Sequence, residues 1–447
     1  MTRTVRLLLL SASPILLGAC AVPFISSSAP GPPANPVGAY GHEARTVSPA
    51  FGPGLALLPD GRVVAAGGSG SRGAVADAEI YDPTSSAWSA LPGMPVARGQ
   101  ATATTLADGS VLVAGGLGAS GEILATGLLF HPGGAWTPTG SLSAPRYGQT
   151  ALPLKDGRVL LVGGWSQPSS FGQNALPTRA IDRFDPSTRR FAPGAAAPAV
   201  VQGAMFASLP DGRVLMAGGD DPAHGSTSRV WLYDPSADTW TPGPPMPVSR
   251  AYGIAITLAG GQVLVAGGDQ MAAQPGGVQT GPIQPGVVAQ GPPLTTAVLY
   301  DPTANAWSRV ADAPPGINQA FGGALLLHDG RAVTFGLNFS GGPTADLSAI
   351  FYDPATGKWS TGAPVPVTVT GGLSPVLLQS GRVLLVLGST SLVFDPEATA
   401  PAPPQAPVHP LASPRLTPWL LVIAAILLMV LIAQYAQAQL RSRRRTS

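Results

Sequence analysis

The chain has little charge and almost no thiol chemistry. Of its 447 residues only 11% are Asp, Glu, Lys or Arg, cysteine occurs once, at Cys20, and histidine five times. One cysteine cannot close an intrachain disulfide, so any fold must rest on packing. So few charged side chains cannot solvate a set of long surface helices, yet a hydrophobic content of 45% is too high for a disordered chain. The formal charge of +2 hides an uneven division: Arg3, Arg6, Arg415, Arg441, Arg443, Arg444 and Arg445 lie at the termini, which leaves 18 basic residues against all 23 acids in the middle, a net charge of about −5. A net-negative region with scattered Lys and Arg has no footprint for nucleic acid. Phosphate loops, zinc motifs and nucleophile elbows are also missing.

Turn residues are abundant, with 57 Gly and 49 Pro. This favours an all-β, loop-dense fold, and such folds run long as single domains.

Both ends address a membrane. Residues 1–20 join basic Arg3 and Arg6 to an apolar run from Leu7 to Leu17 and small residues before Cys20, the form of a secretory signal. Leu17-Gly18-Ala19-Cys20 resembles the bacterial lipoprotein lipobox, which implies lipidation at Cys20. Residues 21–36 then read as a flexible tether. At the far end, residues 397–414 include PAPPQAP and predict an extended, Pro-rich stalk. Residues 415–440 carry the apolar run Trp419 to Ala433 with Tyr435 beyond it, and residues 441–447 are a basic tail. Interfacial aromatics and terminal arginines predict a transmembrane helix with its C-terminus cytoplasmic, and place the domain at 37–396 on the extracytoplasmic side of a cell membrane.

Inside that domain a pattern recurs seven times. Hairpin turns stand at Asp60-Gly61, Asp108-Gly109, Asp156-Gly157, Asp211-Gly212 and Asp329-Gly330, with variants Gly260-Gly261 and Ser380-Gly381. A glycine pair follows in the first five repeats, from Gly67-Gly68 to Gly267-Gly268, and Gly336 and Gly388 stand alone in the last two. Next comes an aromatic before a turn, as in Tyr81-Asp82-Pro83 and Phe394-Asp395-Pro396, and the first six repeats add Trp88, Trp136, Phe191, Trp240, Trp307 and Trp359. This order gives four short strands, a to d, per repeat.

The glycine pair, the spaced aromatics and the period of about 50 residues resemble the kelch repeat across residues 50 to 396. The resemblance implies an all-β fold, a seven-bladed β-propeller. Glycines would let backbones pass closely, and aromatics would fill the wedge between blades. The aspartates of the Asp-Pro turns read as Asx turns rather than metal ligands. The seventh repeat lacks its tryptophan strand, so residues 37–47 are the expected donor of the missing outer strand, closing the ring.

Alternating strands put the short a-b and c-d turns on one face and the b-c loops on the other. The b-c segments grow at Trp165 to Ala180, Asp220 to Arg229 and Asp269 to Thr296, and long loops on a rigid scaffold are where binding concentrates. Arg98, Arg146 and Arg250 stand ten residues before their hairpin turns. The kelch resemblance implies inter-blade hydrogen bonds for them; the functional reading joins them to Trp165, Asp220 and His224 in a pocket for an anionic or glycan-like ligand.

No catalytic, metal or cofactor set can be assembled from the sequence. Galactose oxidase, a kelch-like catalytic relative, needs two tyrosines, two histidines and a tyrosine-cysteine crosslink on copper, whereas the histidines here are His42, His131, His224, His328 and His409 and the cysteine belongs to the signal. The expectation is therefore a module that binds a protein or glycan partner, with an envelope scaffold and an extracytoplasmic carbohydrate-active hydrolase or lyase as the alternatives. Buried acids with perturbed ionisation in the channel would favour the enzyme. Cys20→Ala should abolish metabolic labelling by palmitate, and labelling that survives the substitution would refute the lipoprotein reading.

Overall fold

The computed structural model describes residues 37–46, 50–166, 177–199, 202–221, 225–270, 294–317, 323–338, 346–366 and 373–399. The predicted signal, tether, spanning helix and basic tail fall outside them, as do Cys20 and His224. No α-helix occurs among the described residues, which form seven blades of four antiparallel strands. Blade 4 shows the unit: strand a is Met205–Ser208, b Val214–Ala217, c Val230–Asp234 and d Thr239–Pro242. Neighbouring blades touch along their a strands, which places strand a at the axis and strand d at the rim.

Local chemistry sets each strand end. In the a-b turns the Asp60, Asp156, Asp211 and Asp329 carboxylates accept the amide two residues on at 2.9–3.0 Å, and the following glycine takes a positive φ. The Asp-Pro turns are Asx turns, as expected: Asp82 accepts from Thr84 N at 2.8 Å, and Asp185, Asp234 and Asp301 repeat the bond at the same length. Strand b is buried on both faces in blades 1 to 5 and 7, because each blade is sandwiched between two others. Its sequence is accordingly continuous Val, Leu and Ala, with Met216 in blade 4, instead of alternating. Each such Val or Leu contributes about 1.5–3 kcal/mol by leaving water.

The paired aromatics join blades. Tyr81–Trp88, Tyr233–Trp240 and Tyr352–Trp359 lie 5.0–5.3 Å apart between ring centres. The tryptophans then donate from Nε1 to the preceding blade: Trp136 to Pro92 O at 2.7 Å, Trp240 to Ala195 O at 2.9 Å, Trp307 to Pro244 O at 2.8 Å and Trp359 to Ala311 O at 2.9 Å.

The seventh blade obtains this element from the other end of the chain. Val37–Arg45 runs antiparallel to Thr390–Thr399 as the outer strand, with Tyr40 opposite Phe394, the register Trp88 keeps with Tyr81. Tyr40 and Phe394 stack at 4.9 Å, and the Tyr40 hydroxyl donates to Ala363 O of blade 6 at 3.2 Å. A tyrosine thus takes both tasks of the missing tryptophan. Val37 also pairs in parallel with Gly362, which ties the closing strand to blade 6. Trp88 of blade 1 reaches back to Ser391 Oγ at 2.9 Å, and that hydroxyl donates to Ala44 O at 3.2 Å.

One boundary moves. The stalk was expected from Glu397, but the last strand continues to Thr399 because its pairing with the N-terminal strand extends to Val37 opposite Thr399.

Deleting residues 37–45 should leave the edge of blade 7 unpaired, lower the melting temperature and promote aggregation. In the intact chain the amides of 40–45 should exchange nearly as slowly as those of Val383–Val386; rapid exchange confined to the N-terminal strand would show that closure does not bear on stability.

Candidate functional site

The b-c face is shaped by the passage from one blade to the next. The chain leaving blade 1 places Arg98 against the glycine pair of its own blade, where Gly68 N donates to Arg98 O at 2.8 Å. Gly116 with Arg146 and Gly219 with Arg250 repeat the bond at 2.9 Å. A Cβ on Gly67 or Gly218 would stand 2.2 Å from that arginine carbonyl, so only glycine admits the approach.

The side chains of these arginines then cross to the following blade. Arg98 is 1% exposed, and donates to Gly115 O at 2.9 Å, Thr126 O at 2.7 Å and Thr126 Oγ1 at 2.8 Å. Arg250 does the same with Gly267 O, Thr296 O and Thr296 Oγ1 at 2.8–2.9 Å. Arg146 donates to Ala180 O at 2.8 Å and pairs with buried Asp182, whose carboxylate also accepts from Ser143 N at 3.0 Å and Ser143 Oγ at 2.9 Å. Burial pushes the Arg98 and Arg250 guanidiniums down to about 10, which leaves them charged at neutral pH. Hydrogen bonds to a charged donor contribute about 1.5–3 kcal/mol each. The three arginines are inter-blade ties, as the kelch resemblance implied, with terminal guanidinium nitrogens donating to backbone and side-chain oxygens, and the ligand role expected of them is corrected.

Two residues past each arginine position the backbone is left-handed in five blades. Gly52, Gly148 and Gly203 serve this position with φ of 61° to 62°, but Gln100 and Tyr252 occupy it at 54° and 60°. A non-glycine residue there stores of order 1 kcal/mol or more of strain. These positions connect around the inner rim, with Gly148 N donating to Gln100 O at 3.0 Å and Tyr252 N to Gly203 O at 2.8 Å. Half-buried Trp165 lies over Gly148 near the Gln100 amide, while the Tyr252 ring covers Gly203.

The residue after each glycine pair comes to the same rim. In blades 4 and 5 it is Asp220 and Asp269, 3% and 1% exposed. Asp269 is anchored through its main chain, exchanging hydrogen bonds with Ala251 at 2.8 and 3.0 Å. Both its carboxylate oxygens are buried without a hydrogen-bond partner. Burial pushes the Asp269 carboxyl up to about 6. Asp220 is raised as well, by burial first and by the neighbouring Asp221 charge second. The Tyr252 phenol is raised chiefly by burial; the Gln202 amide donating to its oxygen at 2.7 Å opposes this, and the charges of Asp220 and Asp269 add to it. Of the residues named from sequence, the structure groups Asp220 with Asp269 and Tyr252, and Trp165 with Gln100. Asp269 was missed as a site residue, although an acid after the glycine pair in two successive repeats was the signal.

With this geometry in hand, comparison with known proteins is informative. The Kelch motif model matches residues 56–95 and 207–247, which contain strands of blades 1 and 4. The chain carries kelch motifs. The kelch propeller is also similar to a solved fungal alcohol oxidase of the AA5 family in complex with copper, at 17% identity and a TM-score of 0.59 over 80% of this chain and 76% of that one. A second similar structure, YjhT, gives 16% identity and a TM-score of 0.50 over 71% of this chain and 99% of the other. At these identities the likeness is one of fold. No curated protein matches the chain. Among the described residues no group of three or more His, Cys, Asp or Glu could hold a metal, and His131 sits in a c-d turn with Nε2 3.0 Å from Thr137 Oγ1.

An acid raised from 3.8 to about 6 binds more protons folded than unfolded between those values, so its contribution to stability falls as pH rises through that window. Asp269→Asn should therefore stabilise the protein at about pH 7.5 by on the order of 2 kcal/mol and change nothing at about pH 3.5. Thermal melts at the two pH values check this; equal effects at both would contradict the assignment.

Proposed function

We propose that this kelch propeller is an extracytoplasmic, membrane-anchored binding module that takes a protein or glycan partner on its b-c face. The fold itself suggests a binding or scaffold module. The observation that carries the choice of face is the contrast between the two sides. The turn face is uniform and stitched between blades, as where Arg158 donates to Pro235 O at 3.2 Å, Arg331 to Pro396 O at 3.2 Å and Gln379 to Pro59 O at 2.8 Å. The b-c rim instead differs blade by blade, with aromatic, amide and acidic residues at equivalent positions. Support for the anchoring comes from the sequence signals at 1–20 and 415–440; among the described residues no helix is long and apolar enough to cross a membrane.

A second reading has one observation on its side. Asp220 and Asp269 are buried acids whose pKa values are raised by burial, as a carbohydrate-active hydrolase or lyase would need. Against it, no hydrogen-bond donor among the described residues orients the Asp269 carboxylate, and general acid–base work requires that orientation.

A photocrosslinking residue at position 100 on the rim should capture a partner on intact cells, and the same residue at position 303 on the turn face should not. External protease should release the propeller from those cells. Capture from position 303 alone would reverse the choice of face, and protection from external protease would reverse the orientation.

A further inference from the structure

The junction of blades 4 and 5 holds negative charge that nothing in the described chain answers. Both oxygens of Asp269 are enclosed and without a hydrogen-bond donor. Burial alone accounts for its raised pKa, with no charged group of the described residues among the causes. The adjacent guanidinium of Arg250 is directed to Gly267 O, Thr296 O and Thr296 Oγ1. Asp220, 3% exposed, adds a second acid at this junction, its carboxyl held up by burial and by the Asp221 charge. Leaving a buried carboxylate unpaired is destabilising, and such a group persists where a ligand brings its counter-charge.

We infer that Asp269, with Asp220 and Tyr252 beside it, receives a primary ammonium group borne at the end of a slim chain, of the kind a lysine side chain presents. An ammonium supplies three donors and a positive charge together, whereas a hydroxyl supplies one donor and no charge. A divalent cation suits the site less well. Calcium takes roughly six to eight oxygen ligands, and the described residues offer no cluster of three metal-binding side chains. Both carboxylates bear on the Tyr252 phenol between blades 4 and 5. Asp269 is 1% exposed, so the arriving group must be narrow. The Tyr252 ring, held over Gly203 by its left-handed backbone, offers an apolar and cation-attracting wall for the methylene stem.

The inference deepens the proposed binding role of the b-c face and rests on it. Calorimetric titration of the full-length chain with Nα-acetyl-lysine methylamide should show binding, and the Nε-acetylated compound should bind at least about tenfold more weakly. Asp269→Asn should weaken the lysine compound by about tenfold or more without lowering the melting temperature at neutral pH, and Asp220→Asn should weaken it severalfold. Equal affinity for the two lysine compounds, or unchanged affinity in Asp269→Asn, would overturn the inference. Displacement of the lysine compound by calcium chloride would overturn it in favour of a metal ion, and tighter binding of glucosamine would overturn it in favour of a sugar amine. Capture from position 100 that survives Asp269→Asn would sink the ammonium site while leaving the choice of face intact.

Discussion

Neighbouring blades must come within backbone distance of one another, and most of this molecule follows from that constraint. The glycine pair permits the approach, because a side chain at Gly67 or Gly218 would collide with the carbonyl of Arg98 or Arg250. The same arginines then carry their guanidiniums into the next blade, so one residue spans a junction: its carbonyl binds the blade it leaves and its side chain the blade ahead. Strand b is consequently shut off from water on both faces, and its run of Val, Leu and Ala is the sequence expression of that enclosure.

The fold was legible because its devices are local and repeated. Asp-Gly and Asp-Pro turns, glycine pairs and paired aromatics each serve within a few residues of where they stand, and seven copies separate pattern from accident. Ring closure was legible for a different reason. A missing outer strand in the seventh blade and an unassigned segment ahead of the first could be matched by counting, and Tyr40 proved to hold the register that a tryptophan holds elsewhere. The parallel contact of Val37 with Gly362 had no such signal, since nothing local distinguishes a strand that serves one neighbour from one that serves two.

The site was less legible because it depends on what is missing around a residue. Arg98, Arg146 and Arg250 looked available for a ligand, being cations on a variable face, yet backbone oxygens from the following blade engage them. Asp220 and Asp269 both stood at the start of a long loop, in equivalent positions of successive blades, but only Asp220 was drawn into the expected pocket. Sequence shows a carboxylate but not whether a donor reaches it, and it is the lack of a donor among the described residues that sets the Asp269 carboxylate apart. Tyr252 was overlooked for a related reason, because the left-handed backbone that turns its ring across Gly203 belongs to a position where three other blades use glycine.

The register of the closing strand also determines how the domain responds to mechanical load. Val37 faces Thr399 at the very end of the ladder, so the chain enters and leaves the ring side by side. A pull that separates those two ends would open the ladder one pair at a time, as a zipper parts, because the load falls on the terminal bonds and not on the whole strand in shear. A pull on both ends in the same direction would put almost no tension across the ring. The propeller is therefore mechanically weak as a link in a taut chain and durable as a loop hung from one place.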